Sequence, residues 1–186
     1  MTEVSSLTGR LLVATPALAD PNFDRAVVLL LDHDDEGSLG VVLNRPTPVT
    51  VGDVLASWAG LAGEPGVVFQ GGPVSLDAAL GVAVIPGDEG PLGWRRVYGA
   101  IGLVDLEAPP ELLGPALGSL RIFAGYAGWG PGQLESELGD GAWYVVESEP
   151  GDVSSPHPET LWRQVLRRQR GELAMIATYP DDPSLN

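Results

Sequence analysis

Two short apolar runs joined by a polar connection constrain the fold of this chain most strongly. Residues 26–31 read AVVLLL and residues 39–43 read LGVVL, with the polar, glycine-containing segment DHDDEGS between them. Runs of this length bounded by such a connection predict a β-hairpin. Because both runs are nearly continuous and do not alternate with polar residues, we expect their strands to be buried on two faces or to close a barrel.

The rest of the chain continues as short apolar runs separated by turns. Its 25 glycines and 17 prolines fall between these runs, which is typical of turns and not of a disordered chain. Further strands are predicted over residues 66–75, 78–87, 94–104, 120–127 and 141–148. Short helices are predicted over residues 50–60, 109–118, 131–139 and 159–170, with a last one from Glu172.

The order of these elements predicts the fold class. We find no internal repeat and no linker, so we expect one domain over residues 1–186, with a polar tail over 180–186. Strands outnumber helices and follow one another through short turns, which favours antiparallel pairing. The prediction is an α+β fold with a largely antiparallel sheet curled into a barrel-like core with short helices. Thr50 followed by Asp53 matches a capping box at the start of the first helix.

Composition excludes several classes of chemistry. The chain has no cysteine, which removes disulfides, zinc–thiolate sites and thiol nucleophiles. It also has no lysine, so Schiff-base chemistry and a P-loop lysine are excluded. No apolar run approaches the length that crosses a bilayer, and the N-terminal segment lacks the pattern of a signal peptide. We therefore expect a cytoplasmic protein without a membrane partner.

The charge of the chain bears on nucleic-acid binding. The formal net charge is −15 and the isoelectric point is about 4.2, which repels polyanions at long range. The basic cluster Arg163, Arg167 and Arg170 would lie on one face of the helix predicted over 159–170. Three or four charges are a small phosphate footprint, so we interpret this face as solvated and expect no direct DNA binding.

The acidic connection of the predicted hairpin resembles the first half of a calcium loop. Asp32, Asp34, Glu36 and Gly37 have the required spacing, but Leu43 stands where the loop needs a bidentate glutamate. The match fails, and we interpret the segment as a solvated turn. His33 could serve as a base or ligand, yet the other histidine is distant in sequence, so no metal site is predicted.

Patterns for covalent and acid–base catalysis are weak. Ser75 lies in GGPVSLD, which is not the nucleophile elbow of a serine hydrolase. The carboxylate pair Glu135 and Glu137 would point apart on a helix, so solvation is the default interpretation. Whether the chain is an enzyme stays uncertain, with the balance towards no activity and no cofactor.

The segment GWGPG, before the helix predicted over 131–139, has the order of a phosphate-binding loop. Its glycines follow G-x-G-x-G and not G-x-G-x-x-G, no lysine follows, and Glu135 would repel an anion at the helix start. We therefore interpret it as a corner whose glycines allow Tyr126 and Trp129 to turn inward. In this interpretation Gln133 and Glu135 accept from local backbone donors.

Five separated segments together resemble the YqgE/AlgH family. They are LLVATPALADPNFDRAVVLLLDH, GSLGVVLNRP, FQGGPV, RIFAGYAGWGPGQLESELGDGAWYV and LWRQVL, and they cover nearly the whole chain in order. The family's recurring positions fall on Pro16, Asp20, Phe23, His33, Asn44, Arg45, Pro46, Gly71, Gly72, Pro73, Arg121, Tyr126, Trp129, Gln133, Leu134 and Glu135. One departure is GVAVI, where many members carry a histidine.

The resemblance implies an α+β fold with a barrel-like sheet, and a label of transcriptional regulator without a recognised DNA-binding motif. Polar residues at predicted strand ends and turns could converge in one ligand-binding cleft, although structural roles are also open for them. The candidate residues are Asp20, His33, Asn44, Arg45, Gln70, Arg121, Tyr126, Trp129, Gln133 and Glu135.

Three function hypotheses remain open at this point. The first is a non-enzymatic cytoplasmic regulator of the AlgH type that acts indirectly, through a small ligand or a protein partner. The second is an enzyme that uses carboxylates and Arg45 or Arg121 on a nucleotide or other phosphorylated ligand. The third is a protein-interaction module whose interface includes exposed aromatic residues such as Trp58 or Trp94.

Overall fold

The computed structural model describes residues 6–18, 20–21, 23–87 and 90–178. Within them, one sheet contains the strands β1 (Leu11–Ala14), β2 (Val27–Asp34), β3 (Gly37–Val42), β4 (Pro46–Thr50), β5 (Val67–Gln70), β6 (Val74–Val84), β7 (Trp94–Tyr98), β8 (Ile101–Val104), β9 (Ser119–Trp129) and β10 (Trp143–Val146). The helices are α1 (Val51–Val54), α2 (Gln133–Gly139), α3 (Pro150–Val153), α4 (Leu161–Arg167) and α5 (Glu172–Ile176). Short 3-10 turns span Ala56–Trp58, Pro110–Leu112, Gly114–Ala116 and Pro158–Thr160.

The sheet runs in the order β10-β1-β2-β3-β9-β6-β8-β7, with antiparallel neighbours throughout. Strand β9 joins the two halves, because its end pairs with β3 and the rest of its length pairs with β6. Strand β5 runs parallel to β9 and carries β4 on its other edge. The sheet curls into a half-barrel of one α+β domain, which confirms the predicted fold class.

The predicted hairpin is confirmed as β2 and β3. Its strands extend beyond the apolar runs, so that Asp34 pairs with Gly37 across a two-residue turn. The apolar part of β2 is fully buried from Val27 to Leu30, as the continuous run predicted. The register shifts between Leu30 and Asp32, where the strand leaves the core and becomes acidic.

Three apolar clusters cover the two faces of the sheet. The inner cluster fills the curl of the half-barrel and includes side chains of α3 and α4, such as Val153 and Val165. A second cluster lies between the outer face of β1 and β2 and helix α2, and a third lies between β5, β6 and the segment around Trp58. The C-terminal helices therefore cover part of the inner face of the half-barrel.

Several predicted elements differ from the structure. Residues 94–104 form the hairpin β7–β8 and not one strand, because the chain turns at Gly99, whose φ is +57°. Residues 109–118 form two 3-10 turns in place of a helix. The helix predicted over 159–170 begins as a 3-10 turn and ends at Arg167, so Arg170 lies beyond it and the proposed basic helix face is shorter.

Local capping also differs from expectation. Thr50 stands at the start of α1, but its side chain makes no capping hydrogen bond. Residues 149–158, for which no helix or strand was predicted, contain α3, which carries a complete capping box formed by Glu149 and Asp152. The tail predicted over 180–186 lies outside the described residues. In the part of the chain that the structure covers, no helix is both long and apolar enough to span a bilayer.

Candidate functional site

The predicted site residues do not share one cleft. Asn44, Arg45 and Gln70 come together at one edge of the half-barrel, next to the exposed Asp20, whose neighbour Pro21 lines two cavities there. The remaining candidates lie in three other places: the corner after β9, the interior of the half-barrel and a cavity at its open end.

Asn44 fixes the backbone at the entrance to the first group. Its side-chain oxygen accepts a hydrogen bond from the Val27 backbone amide at 3.0 Å, and its nitrogen donates to the Arg25 carbonyl at 2.9 Å. These bonds tie the end of β3 to the start of β2. Because the amide is nearly buried and bonded on both sides, Asn44 positions the chain next to Arg45.

Arg45 lies between two cavities. Its guanidinium donates to the Asp24 carbonyl, and its own carbonyl accepts from the Gln70 backbone amide at 2.8 Å. Burial lowers the pKa of Arg45, while the negative charge of Asp24 acts in the opposite direction. One cavity, of about 170 Å³, is lined by Arg45, Gln70 and Pro73, and the other, of about 330 Å³, continues on the opposite side of Arg45.

The larger of these cavities is lined by three arginines and by the carboxylates of Asp24 and Glu159, so the formal charge of its lining is one positive unit. Of the ten arginines in the chain, Arg25, Arg45 and Arg163 line it, in a molecule whose formal net charge is −15. The guanidinium carbons of Arg25 and Arg163 lie 4.4 and 5.7 Å from the ring centroid of Trp162. The indole nitrogen of Trp162 donates to the Ala14 carbonyl at 2.9 Å, which fixes this ring as the floor of the cavity. We call the two cavities around Arg45 the Arg45 cleft.

The corner after β9 is held together by its own side chains. The Glu137 carboxylate accepts from the indole nitrogens of Trp129 and Trp143 at 3.0 and 2.9 Å and from the Gln133 amide at 3.0 Å. Gln133 in turn accepts from the Gly130 backbone amide at 3.0 Å, as predicted. The hydrogen-bonding capacity of this corner is therefore directed inward, which is the arrangement of a structural turn.

His33 and Glu135 form a separate contact in the same region. The His33 ring has Nδ1 2.6 Å from the Ser38 hydroxyl and Nε2 3.7 Å from the Glu135 carboxylate. The histidine is 5% exposed and the Glu135 side chain is half exposed, so the contact connects the β2–β3 hairpin to α2 at the protein surface. Glu135 was predicted to accept from a local backbone donor; it faces His33 instead, and Gln133 accepts from the backbone.

Tyr126 and Trp129 were predicted to turn inward, and both pack against apolar clusters, although on opposite faces of the sheet. Their spacing of three along β9 directs them to opposite faces of the strand. Trp129 is buried in the outer cluster against Phe23 and Trp143. Tyr126 lies on the inner face and lines a cavity of about 520 Å³ at the open end of the half-barrel.

Arg121 is buried inside the half-barrel and does not line the Arg45 cleft. Its Nη2 donates to the carbonyls of Glu64 at 3.0 Å and Ser155 at 2.8 Å, and its guanidinium carbon lies 4.2 Å from the centroid of Phe69. Nε and Nη1 are buried and have no hydrogen-bond partner among the described residues. Burial lowers the pKa of Arg121 to about 10. It joins two distant segments through backbone carbonyls.

The aromatic interface proposed from the sequence is not supported. Trp58 is 1% exposed and donates to the Leu106 carbonyl, and Trp94 is half-buried and donates to the Ala83 carbonyl. The residues that expose apolar surface include Val49, Val54 and Leu76, which line a groove of about 420 Å³ between β4 and β6. Sequence periodicity alone could not distinguish buried from exposed residues here, because Trp58 belongs to a 3-10 turn whose burial depends on distant strands.

Comparison with known proteins identifies the family. The model of the AlgH-like family matches residues 11–174, which is most of the chain. The chain belongs to the AlgH-like family. This result confirms the resemblance found in the sequence.

Relatives of this AlgH-like chain cover its full length. It is 85% identical to a UPF0301 protein of Streptomyces coelicolor, over 100% of this chain and 98% of the relative. It is 52% identical to a UPF0301 protein of Thermobifida fusca, over 97% and 96% of the two chains. Family membership supports the fold, and the function has to be inferred from the residues themselves.

Two solved structures share the AlgH-like fold. A crystal structure of a protein from Corynebacterium diphtheriae superposes with a TM-score of 0.89 at 31% identity and covers 96% of this chain and 95% of that one. The solution structure of the AlgH protein from Pseudomonas aeruginosa gives a TM-score of 0.69 at 26% identity, over 97% of each chain. The half-barrel is therefore common to these proteins.

Some features of the AlgH-like chain were missed from the sequence. Arg25 and Arg163 lie 138 positions apart and were not connected with Arg45, although all three line one cavity. The charge pattern carries no signal for this arrangement, because only the pairing of β2 with its neighbours and the position of α4 bring the residues together. Among residues 6–18, 20–21, 23–87 and 90–178, no group of three or more histidines, cysteines or carboxylates could hold a metal ion.

Proposed function

We propose that this AlgH-like protein is a non-enzymatic regulatory protein of the cytoplasm that acts indirectly, by binding a small anionic ligand in the Arg45 cleft. The ligand class is a small molecule that carries a phosphate or carboxylate group. The observation that carries the proposal is the position of Arg45, which is partly desolvated between two cavities and has two further arginines beside it.

The environment of Arg45 favours an anion for an electrostatic reason. Desolvation makes the charged guanidinium less stable, as the lowered pKa indicates. A phosphate or carboxylate placed against it would restore that stability through charge-assisted and bidentate hydrogen bonds. The backbone around Arg45 is already fixed by Asn44 and Gln70, so little ordering would be needed on binding.

The charge of the whole molecule favours a small ligand over a polyanion. A net charge of −15 repels an extended anion, which contacts many parts of the surface. Salt at physiological ionic strength screens charges that lie more than roughly 8 Å away, so a small anion is affected mainly by the groups nearest to it. A small anion inside the cleft would lie beside three arginines and two carboxylates, Asp24 and Glu159, so the nearby groups carry one net positive charge. The 330 Å³ volume also falls within the range of about 300–1,000 Å³ found for small-molecule sites.

Thermal unfolding in the presence of inorganic phosphate or citrate tests the proposal. A ligand at about tenfold its Kd stabilises the folded state by about 1.4 kcal/mol, which corresponds to a Tm increase of about 3–5 °C for a domain of this size. We expect this increase in the wild type and in Arg167→Gln, an exposed arginine outside the cleft, and its loss in Arg45→Gln. Circular dichroism checks that both variants are folded. The same increase in Arg45→Gln, or none in the wild type, would overturn the proposal.

A second candidate function is an enzyme acting on a phosphorylated ligand. The observation that favours it is the presence of Asp24 and Glu159 in the wall of the cavity that holds the three arginines. Carboxylates beside a bound phosphate ester could act as general acid or base. Phosphate release from nucleotides and sugar phosphates, measured with wild type and Glu159→Gln, separates this candidate from simple binding. Turnover that Glu159→Gln removes would favour the enzyme.

A further inference from the structure

The cavity lined by Tyr126, at the open end of the half-barrel, continues the inner apolar cluster. Six of its lining residues belong to the inner apolar cluster or pack against it: Leu31, Leu39, Leu80, Val97, Leu103 and Tyr126. Helices α3 and α4 fill the inner cluster elsewhere, and this end has no helix among its lining residues. The result is an apolar cavity of about 520 Å³, a volume typical of small-molecule sites.

The polar groups of this cavity carry a small positive charge. Arg95, Arg96 and Asp32 line it, so its formal charge is one positive unit. Arg96 is engaged: it donates to the carbonyls of Gly99 and Gly87, and its guanidinium carbon lies 5.0 Å from the ring centroid of Trp94. Arg96 keeps its charge, but its donors are directed to the protein backbone, so the guanidinium that can donate freely to a ligand is that of Arg95.

Arg95 is the free cation of this lining. Among the residues that the structure describes, no hydrogen bond or ion pair engages its guanidinium, and the same holds for the Tyr126 hydroxyl. The two residues come from β7 and β9 and meet the cavity from different sides of the curl. A cation and a hydroxyl beside an apolar surface match a ligand with one anionic group and one apolar body.

We propose that this cavity binds an amphipathic monoanion, a molecule with an apolar body and a single carboxylate head group. The leucine and valine side chains receive the body, Arg95 pairs with the carboxylate, and Tyr126 donates to it. One negative charge on the ligand neutralises the formal charge of the lining. A second negative charge would be repelled by the Asp32 carboxylate and would have no cation to pair with. The site shares no lining residue with the Arg45 cleft, so it stands independently of the proposed function.

Strand β6 supplies a matched pair of positions for a steric test. Its register against β9 shifts between Val74 and Ala79, where β9 turns at Gly125 with a φ of +74°. Ala78 lines both the cavity and the groove on the other side of β6, and the adjacent Ala79 lines the groove alone. A phenylalanine at position 78 would fill the cavity, whereas the same residue at position 79 would leave it open.

The experiment is titration calorimetry with octanoate below its micelle concentration, against octanol, octylammonium and acetate. We expect octanoate to bind at least tenfold more tightly than octanol or acetate, and octylammonium to give no measurable binding. Arg95→Gln should weaken octanoate at least tenfold and leave octanol unchanged, while Arg167→Gln should bind octanoate as the wild type does. Ala78→Phe should remove octanoate binding, and Ala79→Phe should retain it.

Three outcomes would overturn the proposal. They are no octanoate binding by the wild type, equal affinity of Arg95→Gln and the wild type, and equal affinity of Ala78→Phe and Ala79→Phe. Arg95 is exposed, so its variant tests the site even where Ala78→Phe does not fold. Arg45→Gln should bind octanoate normally, which distinguishes failure at this site from failure at the Arg45 cleft.

Discussion

Single arginines of this chain occupy very different environments. Arg95 is exposed at the rim of a cavity, Arg45 is partly buried between two cavities, and Arg121 is 2% exposed in the core. The sequence around each of them is an apolar run or its end, so local pattern did not separate these cases. The difference arises from how many strands and loops cover each guanidinium, which is a property of tertiary structure.

Arg121 joins two segments at an electrostatic cost. A pKa lowered to about 10 corresponds to an unfavourable burial free energy of about 3 kcal/mol. The two bonds to the Glu64 and Ser155 carbonyls each contribute about 1.5–3 kcal/mol, since their donor is charged. We therefore expect Arg121→Met to lower the free energy of unfolding by about 1–3 kcal/mol, as measured by urea denaturation.

The same substitution gives a test by pH. Because the pKa of Arg121 is lower in the folded state, the unfolded state holds more protons on this residue as the pH passes 10. The contribution of Arg121 to the free energy of unfolding therefore rises with pH in that range. The difference in unfolding free energy, wild type minus Arg121→Met, should increase by about 1 kcal/mol from pH 8 to pH 10.5. Tyrosine titration cancels in this difference. A constant or smaller difference would contradict the burial of a charged guanidinium.

At the scale of elements, one carboxylate of α2 accepts the hydrogen bonds that add to the apolar packing of this helix on the sheet. Glu137 accepts from the indole nitrogens of Trp129 and Trp143, both nearly buried, and from Gln133 of its own helix. Strand β9, the corner and strand β10 therefore share a single acceptor. The glycines of GWGPG allow the chain to turn, with Gly132 at a φ of +74°, and the side chains then hold the turn closed.

Glu137→Ala should destabilise the protein strongly. It leaves two buried indole donors without an acceptor, at about 1–3 kcal/mol each, so we expect a loss of about 2–4 kcal/mol in urea unfolding followed by tryptophan fluorescence. Glu135→Ala is the matched control on the same helix, and its exposed contact with His33 should contribute less than about 1 kcal/mol. Similar losses in both variants would mean that the corner is not held by Glu137.

The elements that the sequence predicted well are those with a strong local signal. The hairpin of β2 and β3 and helix α2 follow from continuous apolar runs and from helical spacing bounded by glycine. The hairpin β7–β8 was read as one strand because its turn has only Gly99 to mark it. Helix α3 was missed although Pro150 at its first position and Asp152 at its third carry the signal of a helix start.

At the scale of the whole molecule, net charge and shape act together on binding. The formal charge of −15 is distributed over a half-barrel whose cavities carry arginines. Long-range forces therefore disfavour polyanions, while short-range forces in the cavities favour small anions. This combination is consistent with regulation that does not proceed through direct contact with DNA.

We expect no direct DNA binding. In a gel-shift experiment at about 0.15 M salt, the wild type should leave duplex DNA unshifted at protein concentrations where specific binders, with Kd values of about 10⁻⁸–10⁻¹¹ M, are saturated. Lowering the salt should not produce the steep rise in affinity that follows from phosphate contacts. Sequence-specific binding in the nanomolar range would contradict both this expectation and the indirect action proposed above.

The sequence by itself determined the strand runs, the β2–β3 hairpin, the fold class and the family, because these depend on short-range periodicity, turn residues and ordered motifs. Only the tertiary structure decided that Arg45 meets Gln70, that Arg121 is buried, and that Tyr126 and Arg95 line one cavity. These contacts depend on strand order and on the curl of the sheet. Both are set by long-range packing, on which a local pattern carries no information.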